Sequence, residues 1–161
     1  MSGTHIFLII LGVTCGYALW RGGGPERVTS AMLLAAALAT GYLYAASSIS
    51  FQRLELGVLI VDHLLLAGLL LVMWRADRVW PIAMFSMHLV NVAGHWIRLE
   101  NPGMLGAVYA IILQSWAYPM QLLLAVATVL HRHRIRKRGA DNSWLPSLHP
   151  WRRVRPTSPT S

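Results

Sequence analysis

LGVLIVDHLLLAGLLLVMW (Leu56–Trp74), the link Arg75-Ala76-Asp77-Arg78, and VWPIAMFSMHLVNVAGHWI (Val79–Ile97) decide the fold. At ~1.5 Å per residue, each apolar run is roughly 28–30 Å long as a helix, which matches a hydrocarbon core of about 30 Å. The polar link is short enough only for a tight turn. Pro81 falls in the first turn of the second run, where its missing N–H costs least. The two runs are therefore expected to be an antiparallel pair of neighbouring membrane helices.

Three more apolar runs lie outward of this pair: His5–Trp20, Val28–Ser47, and a long one from Met104 to Leu130. Breaks separate them at Arg21-Gly22-Gly23-Gly24-Pro25-Glu26-Arg27, at Arg53-Leu54-Glu55 and at Asn101-Pro102-Gly103. Glycine, proline and charge at these points oppose a continuing apolar helix. The fold class expected is an all-α integral membrane protein, a bundle of about five transmembrane helices over 5–20, 28–47, 56–74, 79–97 and 104–130. A four-span bundle is the alternative, because the first run is short. Residues 131–161 read as a basic, Pro/Ser-rich cytoplasmic tail with little to bury, hence disordered.

Composition agrees with a bilayer as solvent. Of 161 residues, 55% are hydrophobic and 12% charged, where a soluble domain carries about 25% charged residues. The net charge of +8 does not mark a nucleic-acid binder, since eight of the 14 Lys and Arg residues follow Leu130 and no basic face is interleaved with aromatics. Cys15 is the only cysteine, which excludes an intrachain disulfide and a thiolate cluster.

Arginine placement sets the orientation. With the C-terminus inside, Arg21, Arg27, Arg75, Arg78 and the eight tail cations face the cytoplasm, against Arg53 and Arg98 outside. Trp20, Trp74 and Trp80 then share the inner interface and Trp96 the outer one, as an aromatic belt requires. The expected location is the inner (plasma) membrane, multi-pass, with the N-terminus outside.

Polarity within the runs marks the candidate site. Asp62 is the only charged-type side chain deep inside an apolar run, and such groups face the bundle or water. His88, Asn91 and His95 follow at i, i+3 and i+7, one stripe on one helix face that must meet protein or a cavity. Counted at ~1.5 Å per residue from the outer ends, Asp62, His63 and Asn91 lie roughly 9–10 Å deep, and His88 and Gln114 roughly 14–15 Å deep. A polar cluster of Asp62, His63, His88, Asn91, His95 and Gln114 is expected in the outer half, His95 nearest the surface and wet. His63 and His88 are the candidate haem or metal ligands, since a membrane haem needs two facing imidazoles. Small-residue stripes at Gly12/Gly16 and at Ala37/Gly41/Ala45 predict close helix contacts, within the bundle or with another copy. Arg132, Arg134, Arg136, Lys137 and Arg138 are expected to contact anionic lipid headgroups.

Motifs of known enzymes are missing: there is no serine elbow, phosphate loop, zinc-protease helix or carboxylate pair. Ala76-Asp77-Arg78-Val79-Trp80-Pro81, with His88, His95, Tyr109 and Tyr118-Pro119-Met120, resembles small uncharacterised multi-pass inner-membrane proteins of alphaproteobacteria. The resemblance covers Ala76–Met120 and implies a membrane location without assigning any residue a role. The leading expectation is a non-enzymatic scaffold or accessory subunit, without cofactor, working through membrane partners, as a homo-oligomer or in a larger complex. The alternatives are a small proton-coupled transporter using Asp62 with His88 and Asn91, and a haem-binding redox subunit.

Overall fold

The computed structural model describes residues 3–46, 51–100, 106–139, Asp141 and Trp144; for helical residues 3–4, 51–55, 99 and 106–114 it describes the backbone alone. These residues form five α-helices: α1 (Gly3–Arg21), α2 (Gly24–Ala45), α3 (Phe51–Arg75), α4 (Trp80–Glu100) and α5 (Gly106–Arg138). No strand occurs among the described residues; the backbones of Ala76 and Trp144 make one isolated antiparallel pairing. Each helix packs on the next, and α5 returns to α1, which closes a ring in chain order.

Helix bounds depart from expectation at three places, each for a local reason. Only Gly22 and Gly23 separate α1 from α2, because Gly23 caps α2 and Pro25 fits its first turn. The α3 helix starts at Phe51, so the expected corner at Arg53-Leu54-Glu55 is its first turn instead. The α5 helix runs on to Arg138 through the basic segment expected to lie in the tail. Arginine and lysine are good helix formers, and cations at a helix C-terminus complement its dipole.

Large apolar side chains lie on the surface as well as in the core, and several polar ones are buried. Val13, Leu38, Ile60, Leu64 and Leu122 are each at least 60% exposed, while Glu26, Thr29, Ser30, His88, Gln121 and Thr128 are buried. By length and hydropathy, two helical segments among the described residues are long and apolar enough to cross a membrane, Gly24–Ala45 and Leu56–Arg75; His5–Arg21 is apolar but shorter. In α4, His88, Asn91, His95 and Arg98 dilute an otherwise apolar helix.

The core is a layer of fully or nearly fully buried side chains, Cys15 and Ala18 from α1, Leu69 from α3, Met84 from α4 and Leu124 from α5. Within the bundle, the close helix approach falls elsewhere than at the small-residue stripes. Added β-carbons at Gly12, Gly16 and Gly41 would meet nothing, whereas one at Gly68 would come within 2.5 Å of the Met32 sulfur. Gly68 therefore sets the close approach of α3 to α2.

Candidate functional site: a cavity inside the bundle

All five helices contribute to a half-open cavity of about 440 Å³ between the core layer and the end of the bundle opposite the basic segment, its mouth at exposed Leu8 and Tyr44. Most of its wall is apolar, from Phe7, Leu11, Leu33, Leu65 and Met120, and the expected small residues Ala37 and Gly41 make room for it on α2. Asp62, His88, Asn91 and Gln121 form the polar part of the wall.

Asp62 joins α3 to α4 twice. Its carboxyl oxygen Oδ2 lies 2.7 Å from Nε2 of His95. Its main-chain carbonyl accepts a bond from Nε2 of His88 at 2.9 Å; a carbonyl has a second lone pair to offer beyond its helical bond. The i, i+7 spacing places both histidines on the face of α4 that meets α3. His95 is 4% exposed, so it is a buried partner of the aspartate and not a wet group at the surface.

His63 leaves the cluster. It is exposed on the outer face of α3, its Nδ1 donates to the Leu59 carbonyl at 2.8 Å, and its ring stands edge-on to Trp96. His63 and His88 therefore do not present two imidazoles to one cavity, and the pair does not fit a haem iron. Among the described residues no group of three His, Cys, Asp or Glu side chains is placed to hold a metal ion. The side chain of Gln114 lies outside the described residues.

Gln121, also on α5, is part of the cavity wall. It is 3% exposed, and neither its carbonyl oxygen nor its amide nitrogen has a hydrogen-bond partner among the described residues. The Oδ1 of Asn91 is likewise buried without one. An unmet buried donor or acceptor costs about 1–3 kcal/mol, so two amides facing one cavity are poised for a molecule that supplies the complementary groups. The sequence signal was the α5 stripe Gln121-Leu124-Thr128-His131, whose 3-4-3 spacing follows one helix face.

A second polar cluster, missed from sequence, closes the basic end. Asp141 accepts bonds from Nδ1 of His131 at 2.6 Å, from Nε of Arg134 at 3.1 Å and from Arg78 in the α3–α4 turn. Burial by itself would raise its carboxyl; the bonds from His131 and Arg134 and the charges of Arg134 and Arg78 outweigh burial and hold it below the ordinary carboxylate value. Arg134 is thus turned to Asp141, not to lipid. Trp144 lies over Gly24, where an added β-carbon would come within 2.0 Å of its indole nitrogen. Beneath, Glu26 is fully buried and neither carboxyl oxygen has a hydrogen-bond partner among the described residues.

No protein family, curated protein or solved structure matches the chain.

Proposed function

We propose that this is a small five-span protein of the bacterial inner membrane, N-terminus outside and C-terminus cytoplasmic, that acts without catalysis by holding a small, mostly apolar molecule inside its bundle. The membrane reading is supported by the exposed aliphatic side chains on every helix. Soluble monomers rarely expose contiguous apolar patches beyond a few hundred Å², whereas lipid accepts such a surface. The observation that carries the ligand reading is the cavity of about 440 Å³ with the unmet amides of Asn91 and Gln121 in its wall. Its size falls in the range of roughly 300–1,000 Å³ used for small-molecule sites. The occupant has an apolar body and one hydroxyl or carbonyl-type group, which the amides orient.

Mass spectrometry of small molecules that co-purify in mild detergent tests this. An apolar molecule held by the natural chain should be lost when Ala37→Trp fills the cavity, and weakened by about tenfold in Gln121→Leu, as for one hydrogen bond of ~1.5 kcal/mol. Equal recovery from all three chains would overturn the reading.

The Asp62–His95 contact favours a second reading, in which uptake or release of the occupant is coupled to a proton. The two side chains lie 2.7 Å apart, and Asp62 is part of the cavity wall.

A further inference from the structure

The structure divides the basic run of α5 between two faces. His131 and Arg134 turn inward to Asp141. Arg132, His133 and Arg136 turn to the seam with α1, where with Tyr17 and Val129 they line a cleft of about 130 Å³. Nη1 of Arg132 reaches towards the Tyr17 hydroxyl at 3.5 Å, long for a hydrogen bond. Neither Arg132 nor Arg136 meets a carboxylate among the described residues. Two uncompensated guanidiniums, an imidazole and a phenol thus converge on a space suited to a small anion with several acceptor oxygens.

We propose that Tyr17, Arg132, His133 and Arg136 form a phosphate site that seats the headgroup of one anionic phospholipid. Guanidinium forks match phosphate oxygens in pairs, and the tyrosine hydroxyl adds a donor from the neighbouring helix. The lipid, in preference to a free phosphate, is argued from what lies along α5 below the cleft. Leu122, Val126 and Val129 are 67%, 45% and 54% exposed and follow one another at helical spacing, an apolar track for an acyl chain that ends at the basic groups. The proposal rests on the five-span reading, which puts this end of α5 at the inner headgroup layer. It is more specific than a diffuse attraction of the whole basic run, since it assigns Arg132 and Arg136 to the headgroup, assigns Arg134 to Asp141 and leaves out Lys137 and Arg138.

The experiment uses the full chain in neutral detergent, titrated with fluorescent phosphatidylglycerol, after alkaline extraction has tested whether the chain is integral to its membrane. Release by alkali would defeat the five-span reading and the lipid site with it. For an integral chain, Arg132→Gln with Arg136→Gln should weaken binding about thirtyfold, the effect of removing two basic contacts to an anionic surface. Lys137→Gln with Arg138→Gln removes the same charge off the cleft and should weaken binding less than about threefold, the remainder of a screened surface effect. Tyr17→Phe should weaken it by a few-fold without changing net charge. Equal losses in the two double variants would overturn the site in favour of diffuse attraction. Inorganic phosphate binding that is lost in Arg132→Gln with Arg136→Gln, while lipid binding stays unchanged, would assign the cleft to free phosphate and overturn the lipid. Circular dichroism checks that the variants keep their helices; should the double variant lose them, Tyr17→Phe decides alone, and unchanged binding in it would overturn the site.

Discussion

Asp141 holds the chain beyond α5 against the end of the bundle, because His131 and Arg134 on α5 and Arg78 in the α3–α4 turn all converge on its carboxylate. Its carboxyl is held below the ordinary value, so docking is favoured by the charged form. This stabilisation is fully present above the ordinary aspartate pKa of about 3.9 and is lost as pH falls through the lower, docked-state value. Asp141→Asn should remove it at neutral pH, at a cost of about 1.5–3 kcal/mol for hydrogen bonds to a charged group. The expected outcome is faster tryptic cleavage after Arg138 in Asp141→Asn at neutral pH; an unchanged rate would show that the carboxylate does not hold the segment. Nothing in the sequence pairs Asp141 with Arg78, 63 residues earlier, because the pairing depends on which way two turns face across the end of the bundle.

At the scale of helices, the pairing of α3 with α4 was legible and its detail was not. Apolar length and a four-residue polar link are local signals, and they gave the hairpin. The stripe His88-Asn91-His95 is also local, and all three residues are on or beside the α3 face. Which side of α3 meets that stripe is a matter of packing. Hence depth alone groups His63 with Asp62, whereas its ~100° rotation about the axis turns it outward. The α5 boundary differs from the sequence expectation because a run of Arg and Lys ends an apolar stretch without ending the helix. A test at this scale separates the structural and proton-linked roles of Asp62. Asp62→Leu removes the carboxylate beside His95 and should lower the detergent melting temperature, at about 1 kcal/mol for one lost hydrogen bond, or nearer ~0.6 kcal/mol if the lipid-solvated reference state finds partners. Asp62→Asn should keep the melting temperature, because the amide still offers His95 an acceptor. Proton flux in proteoliposomes that survives in Asp62→Asn would rule out the proton-coupled reading.

The ring of five helices puts the C-terminal ends of α1, α3 and α5 and the N-terminal ends of α2 and α4 at one pole of the molecule, where Arg21, Arg27, Arg75, Arg78 and Arg132 gather. The proposed orientation sets that pole in the cytoplasm. Reporter fusions after Leu130 and between Asn101 and Gly103 should therefore report opposite sides of the membrane, and a cytoplasmic signal from both would reject five spans. Closure of the ring by α5 on α1 was not legible from sequence, since apolar outer faces read alike whether they meet lipid or another helix. Between the cavity and the basic pole lies the layer of Cys15, Leu69, Met84 and Leu124, with polar side chains on either side of it. In the proposed orientation this layer acts as the thin dielectric of a capacitor. These four side chains barely polarise, so part of a membrane voltage would fall across them. A charge carried from the cavity to the level of Glu26 would then cross a share of that potential, the whole of which is about 2.3 kcal/mol per 100 mV.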